Sequence, residues 1–257
     1  GVTDTLLVEK DVLGSGSTGR SQTMCRMHYS NPVTAVMAWK SLDIFRNFRD
    51  MVGGESGFVE TGYLLVVNKE DRSSLQRNVA MAYNLGINTK QINADDLRGI
   101  APTISISEDE VLAWEPQSGY VDAHMVTTSY GIRAREMGSE ISLKNSAIGI
   151  EIENGRVKAV TTEHGRVETP VAVVASGPWS KSVLASCDVD VPLVPVRHQV
   201  ASLSRPVENL ALLPMVSDVA LSFSFRPDGL ERTMIGFGPA EEVDMETYNQ
   251  GVDLEVM

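Results

Sequence analysis

Six residues near the amino end carry the most specific chemical signal in the chain. Gly14-Ser15-Gly16-Ser17-Thr18-Gly19 matches, position for position, the G-x-G-x-x-G pattern whose glycines let a backbone close on a dinucleotide pyrophosphate. Its surroundings are in the wrong order for that role. Such a fingerprint comes straight off a first strand and is followed about 20 residues later by an acid that takes the ribose hydroxyls. Here the acid, Glu9, precedes the glycines. The segment therefore reads as the second strand of a βαβ unit, with Glu9 at the strand end where a carboxylate accepts from two ribose hydroxyls. The true glycine fingerprint is then expected upstream of Gly1, in roughly 30 further residues of such a unit. Ser17-Thr18-Gly19-Arg20-Ser21 becomes a loop of short donors able to close on phosphate oxygens. Other chemistries find no support: the four histidines and two cysteines show no His-x-x-x-His or Cys-x-x-Cys spacing, so no metal is expected, and no Ser/His/Asp triad or acid pair stands out.

Composition narrows the partners. The 257 residues include 22 basic and 34 acidic side chains, a formal charge of −12, and the basic ones are scattered. A non-specific binder of nucleic acid or of an anionic membrane needs a basic patch, so neither partner is expected. The longest apolar stretches, Val171–Ala175 and Leu210–Val216, fall far short of the roughly 18 residues of a membrane span. Cys25 and Cys187 form no disulfide framework, which fits a reducing, cytoplasmic compartment. The chain opens at Gly1 with neither Met nor a leader and reads as a piece of something longer.

The elements that must position these residues follow from periodicity. Thr5–Val8 is a short apolar run ending on Glu9-Lys10-Asp11, as a buried parallel strand does where its carboxyl end meets solvent. Asn31 and Pro32 start a helix whose apolar residues recur at three and four as far as Met51. Phe58–Val67 reads as two strands turned at Thr61-Gly62. Arg72–Leu85, Asp95–Ile100 and Ala123–Met137 read as helices, and Val111–Val121 as extended chain. From Ile141, β-branched strands are separated by Asn154-Gly155 and His164-Gly165, the first a strong hairpin signal. The all-apolar Val171–Ala175 is expected to be a central strand of the sheet that also holds Leu6–Val8, and Pro178 to open a helix. Val196–Leu203 and Leu221–Phe225 read as strands of an antiparallel sheet. The expected fold class is α/β plus α+β: residues 1–48 and 123–191 in a partial Rossmann-like domain, interleaved with an antiparallel-sheet domain of residues 49–122 and 192–257.

Four motifs in order resemble one family. Leu7-Val8-Glu9-Lys10-Asp11, the Gly14–Ser21 loop, Gly119-Tyr120-Val121-Asp122 and Val173-Val174-Ala175-Ser176-Gly177-Pro178-Trp179-Ser180 are similar to the D-amino-acid oxidase family of FAD-dependent oxidoreductases, nearest its glycine oxidase and sarcosine oxidase/dehydrogenase branch. The likeness runs from Val2 to about Val200, and it implies a chain that in the family continues past Met257. It makes the Rossmann-like part an FAD-binding domain and the antiparallel part a substrate domain. Glu9 would bind the adenosine ribose and Lys10 would lie near the adenine. Ser17, Thr18, Arg20 and Ser21 would run beside the pyrophosphate and the flavin ring. Ala147 matches the position whose backbone reads the adenine edge, and Ser176, Gly177 and Trp179 form the second cofactor-facing motif, with no Cβ at Gly177 to collide with it. Arg26 and Tyr29 match an arginine and an aromatic that face the flavin and the substrate carboxylate. A guanidinium fork pairs both carboxylate oxygens and keeps its charge; by itself, Arg26 equally reads as a surface charge flanking a helix. His28 reads as packed rather than as a base, and His198 as a residue that could line the active site. Arg20 stands where some relatives with a covalent flavin have histidine, and His124, near a flavin-linking histidine of the multi-subunit sarcosine oxidases, also reads as a helix start, so the FAD is expected to be non-covalent. The activity implied is oxidation of a small or N-methylated amino acid (sarcosine, glycine or proline-like) by hydride transfer to flavin, with a homo- or hetero-oligomer possible. The alternative is a non-catalytic regulatory or partner subunit of the same fold.

Overall fold

The computed structural model describes residues 4–206, 211–251 and 253. In chain order they form β1 (Leu6–Val8), β2 (Met24–Cys25), α1 (Pro32–Arg46), α2 (Phe48–Met51), β3 (Val59–Glu60), β4 (Tyr63–Asn68), α3 (Arg72–Asn84), β5 (Lys90–Ile92), α4 (Ala94–Ile100), β6 (Glu110–Glu115), β7 (Gly119–Tyr120) and α5 (Ala123–Glu136). Then come β8 (Glu140–Ser142), β9 (Ala147–Glu153), β10 (Arg156–Thr162), β11 (Gly165–Glu168), α6 (Ser180–Ala185), β12 (Val196–Ser204), β13 (Met215–Asp218), β14 (Phe223–Asp228) and β15 (Arg232–Glu242). The chain divides into two compact units, one of Gly1–Arg20, Thr127–Arg197 and Ala240–Gly251, the other of Ser21–Val126, His198–Pro239 and Val252–Met257. Among the described residues no helix is long and apolar enough to cross a membrane.

The first unit is built on a parallel pair, β1 with β8, in the register Leu6↔Glu140 to Val8↔Ser142. The antiparallel ribbon β11-β10-β9 follows. Its first turn is Asn154-Gly155, with φ of 51° and 73°. Both values are positive, as the tightest two-residue hairpin requires. One expectation is overturned here. Val171–Ala175 belongs to no strand, and Val173 is 86% exposed. An all-apolar run takes up strand form only when a ladder satisfies its backbone on either side. No described strand lies alongside to provide one.

The second unit is built around β4. Five consecutive residues, Tyr63 to Val67, are buried, so this strand has no solvent face. It is central in a seven-stranded sheet of order β12-β15-β14-β13-β4-β6-β5. Tyr63, Leu65 and Val67 on one face pack with Val111, Ala113, Tyr120 and Met215. Leu64 and Val66 on the other pack with Ile92, Leu97, Leu112 and Val216. The pairings β4–β6, β5–β6, β13–β14 and β14–β15 are antiparallel, but β4–β13 is parallel. Periodicity alone did not indicate β13, β15 or that parallel join.

Local signals hold at the helix ends. Asn31 Oδ1 accepts the Val33 and Thr34 N–H groups, with Pro32 in the first turn, as the sequence requires. The expected helix to Met51 is interrupted at Asn47, whose Nδ2 donates to the Asp43 carbonyl and carboxylate and splits it into α1 and α2. Phe58–Val67 contains two strands, β3 and β4, yet they do not pair with each other: β3 joins β7 and β4 joins β6. Gly62, between them, has φ of +74°, and a Cβ there would lie 2.0 Å from the Trp114 ring. Gly53 has φ of +92° with open space around it. Replacing each by Ala therefore separates backbone strain from packing. Gly53→Ala is expected to cost about 1 kcal/mol and Gly62→Ala about 2–4 kcal/mol by urea unfolding; equal losses would show that Trp114 yields freely.

Candidate functional site

In the first unit the candidate residues gather at the carboxyl end of β1. The Glu9 N–H donates to the Ser142 carbonyl at 2.9 Å, and the Glu9 carbonyl accepts the Asn145 N–H at 3.0 Å. The Glu9 carboxylate then turns onto its own chain, Oε1 accepting the Asp11 N–H at 2.8 Å. Asn145, buried and unremarked in the sequence, holds this corner: its Nδ2 donates to Ser142 Oγ at 3.0 Å and its Oδ1 accepts the His164 N–H at 3.1 Å. Ala147 opens β9 opposite Thr162, two residues beyond that anchor. The Lys10 ammonium stands 4.2 Å from the centre of the Trp179 ring. Trp179 Nε1 is buried with no hydrogen-bond partner among the described residues.

The glycine loop opens no α-helix. Gly19 N–H closes on the Gly14 carbonyl at 2.9 Å and a single 3-10 turn, Thr18–Arg20, follows. A Cβ on Gly19 would lie 2.3 Å from that carbonyl. Ser17, Thr18 and Arg20 are exposed on the loop, and the Arg20 guanidinium donates to the Tyr248 hydroxyl. Ser176 and Ser180 hydroxyls are 3.2 Å apart, and Gly177 between them has φ of +54° with nothing within 4 Å of a would-be Cβ.

The second unit holds Ser21, Arg26, Tyr29 and His198. After the exposed Ser21, Gln22 is tied into the sheet: its Nε2 donates to the Ser224 and Met234 carbonyls, its Oε1 accepts from Ser224 Oγ at 2.7 Å, and its carbonyl accepts Arg226 Nε at 2.5 Å. Arg226 lies over the Tyr120 ring at 4.3 Å. Thr23, a β-branched residue at φ of 51°, is held there by Oγ1 donating to the Val121 carbonyl. This anchored segment leads through β2 to Arg26. The Arg26 guanidinium lies 4.6 Å from the Tyr29 ring centre and 5.7 Å from that of Tyr63, and its Nη1 donates to the His28 carbonyl at 2.5 Å. Among the described residues no carboxylate comes within ion-pair distance of it. His198 is exposed on β12, while the next residue, Gln199, is the buried one.

Beneath Arg26 lies a carboxyl group that the sequence reading missed. Glu115 is 1% exposed; its Oε2 accepts the Met27 N–H at 2.9 Å and the Ser118 hydroxyl at 3.0 Å, and its Oε1 has no partner among the described residues. The signal was present in alternation: Val111, Ala113 and Glu115 fall on one face of β6, and that face is core. Burial pushes the Glu115 carboxyl above the usual range. Burial, helped by the charge of Arg26, pushes His28 down to about 4. Burial also raises the Cys25 thiol to about 12, so it stays protonated, and raises the Tyr63 phenol.

The sequence model of the family described as "FAD dependent oxidoreductase" matches residues 1–256, and the chain belongs to that family. It is 24% identical over 236 residues to mouse "Sarcosine dehydrogenase, mitochondrial", covering 89% of this chain and 26% of that one. It is 24% identical to "Sarcosine oxidase subunit beta" of Rhodobacter capsulatus, covering 85% of this chain and 50% of that one. Among solved structures, L-proline dehydrogenase from P. horikoshii superposes with a TM-score of 0.85 at 24% identity, covering 98% of this chain and 67% of that one. Glycine oxidase from Geobacillus kaustophilus superposes with a TM-score of 0.81 at 18% identity, covering 98% of this chain and 68% of that one. The mixed α/β fold with antiparallel sheets is thus that of FAD-dependent oxidases. The chain spans about a quarter to a half of the length of these curated relatives.

The two buried groups give stability opposite pH dependences. Between its ordinary value of 6.5 and about 4, His28 is protonated only in the unfolded chain, so stability rises with pH across that window, by about 3 kcal/mol when complete. Glu115 has its folded pKa above the ordinary 4.5, so the folded chain keeps a proton that the unfolded chain has lost, and stability falls as pH rises from 4.5. Urea unfolding from pH 4.5 to 6.5 should give a steeper rise in Glu115→Gln than in the parent, and a fall in His28→Gln. Parallel profiles in all three proteins would refute these assignments.

Proposed function

We propose that the protein containing this chain oxidises a small or N-methylated amino acid, with non-covalent FAD as acceptor, and that Arg26 holds the substrate carboxylate. Membership of an FAD-dependent family supports the reaction class. The observation that carries the substrate class is Arg26 itself: a partly buried guanidinium near two tyrosine rings, one arm on the His28 carbonyl, and no carboxylate among the described residues in ion-pair reach. A cation kept unpaired in aromatic surroundings is arranged for an external anion, and its fork suits both oxygens of a carboxylate. Tyr29 would border the same substrate, with His198 on β12 as a further lining residue. The His28 carbonyl accepts from Arg26 Nη1 and orients the guanidinium, while the buried imidazole, pushed down to about 4, is a weak base.

Two observations support a fit to FAD: the buried Trp179 Nε1 without a partner, and the open space at Gly177, where positive φ favours glycine. In this reading residues 1–48 and 123–191 make up the cofactor domain and residues 49–122 and 192–257 the substrate domain. Glu9, its Oε1 fixed by Asp11, would offer its carboxylate to the adenosine ribose, Lys10 and Ala147 would border the adenine, and Ser17, Thr18, Arg20, Ser21, Ser176, Gly177 and Trp179 would bind the pyrophosphate and ring. The flavin, when bound, supplies the acceptor for the hydride leaving the carbon beside nitrogen. The chain's task is to fix that carbon by its carboxylate and exclude water. The free thiols Cys25 and Cys187 fit a reducing, cytoplasmic setting, and assembly with like or unlike subunits fits the relative named as a subunit.

Arg26→Lys keeps the charge and loses the fork. In the full-length enzyme, turnover of sarcosine, glycine, proline and dimethylglycine should fall about ten- to hundredfold with an unchanged flavin spectrum, about 1.4–3 kcal/mol of transition-state stabilisation. Undiminished rates would return Arg26 to a surface charge, and a parent inactive on all four would favour a regulatory subunit. Glu9→Gln should weaken FAD by about 1.5–3 kcal/mol in a flavin titration; unchanged affinity would remove Glu9 from the cofactor site.

A further inference from the structure

We propose that Glu115 is a positioning residue for Arg26: by accepting the Met27 amide from the end of β6, it fixes the Arg26–Tyr29 segment so that the guanidinium is held ready for a substrate carboxylate. The proposal rests on the reading of Arg26 given above. The backbone shows why an anchor is needed. β2 is two residues long, pairing Met24 with Tyr120 and Cys25 with Gly119, and its ladder with β7 stops there. Met27, two residues on and fully buried, sends its N–H to a side chain instead of a strand, namely Glu115 Oε2 at 2.9 Å. Ser118, just ahead of β7, donates its hydroxyl to the same oxygen at 3.0 Å. One carboxyl oxygen thus replaces the missing rung and joins β6, the approach to β7 and the Arg26 segment.

Packing alone does not call for an acid at this position. The face it shares with Val111 and Ala113 is apolar core, where a carboxyl costs desolvation that an aliphatic side chain would avoid. Its return is the amide immediately after Arg26. Glu115 also sits directly across the ladder from Tyr63, one of the two rings bracketing the guanidinium, so amide and ring are set by a single strand register. Glu115 makes no ion pair with Arg26, which leaves the guanidinium charge to an incoming anion. Losing such an anchor misplaces a binding group by a fraction of an ångström to an ångström, enough to change affinity severalfold or more.

Acetate, titrated into the full chain and followed by the broadening of its 13C carboxylate resonance, reads the site without flavin or turnover. The parent should bind, and Arg26→Gln should weaken binding at least tenfold. Glu115→Asp, whose carboxyl is drawn back one methylene from Met27, should weaken it about tenfold. Glu115→Gln still offers an oxygen to the Met27 N–H and should stay within about twofold of the parent. Ser118→Ala, which leaves the apolar core untouched, should show a smaller loss of about two- to fivefold, and it stands in for Glu115→Asp if circular dichroism finds that variant unfolded. Parent-like affinity in Glu115→Asp and Ser118→Ala, with Arg26→Gln impaired, would overturn the positioning role and leave the Arg26 reading intact. A parent that does not bind acetate, or an Arg26→Gln variant that binds it as tightly, would overturn both.

Discussion

A strand with no wet face has to send every backbone hydrogen bond sideways, and much of the second unit follows from that requirement at β4. Five buried residues in succession leave Tyr63–Val67 dependent on β6 at one edge and β13 at the other. The first partner comes from the same stretch of chain; the second comes from far downstream and must arrive parallel. Each face of β4 then organises its own cluster, Tyr63, Leu65 and Val67 on one side and Leu64 and Val66 on the other. Because β6 pairs in the register that sets Glu115 opposite Tyr63, the ladder that satisfies β4 also brings a carboxyl group and a phenol ring beneath Arg26.

The electrostatics of that place are unusual for a core. A guanidinium, an imidazole, a thiol, a phenol and a carboxyl lie within a few residues and rungs of one another, yet none of the pairs forms a salt bridge among the described residues. Burial works against charge on both titratable neighbours, pushing the His28 imidazole down and the Glu115 carboxyl up, while the nearby Arg26 charge pulls Glu115 the other way. Among the described residues His28 Nδ1 and Glu115 Oε1 have no hydrogen-bond partner, polar capacity that a core gives up at a cost in free energy. Such a cost is usual where function rather than stability decides the residue types.

What was legible in the sequence is what depends on neighbours in the chain. Asn31-Pro32 starting α1, Asn154-Gly155 turning the β9–β10 ribbon and Leu6–Val8 as a strand ending on Glu9 all rest on side-chain chemistry acting within a few residues. The four ordered motifs carried the family, because their joint spacing is far more specific than any of them alone. Distant partners left no such trace. Val171–Ala175 has the composition of a central strand and no described ladder beside it, while β13, inside a stretch noted only for its hydrophobicity, is claimed by β4. Glu115 was hidden for a related reason: an acid following an apolar run reads as a strand end in water until the opposite strand shows that its face is buried. Asn145 and Gln22 were passed over because an amide side chain advertises nothing until the backbone groups it serves are in place.

The pairing of β1 with β8 has a consequence in time as well as in space. Leu6 lies opposite Glu140, so the β1–β8 ladder cannot form until the chain has been made as far as β8. β4, β6 and β5 meanwhile have one another close at hand in sequence. Closing a long loop costs conformational entropy before any contact repays it, and contacts distant in sequence are the slow ones in folding. During synthesis, the β4–β6–β5 core would therefore form early, while the β1–β8 and β4–β13 ladders wait for the chain to reach β8 and β13. Both units thus depend for a parallel join on chain made long after the strand that needs it.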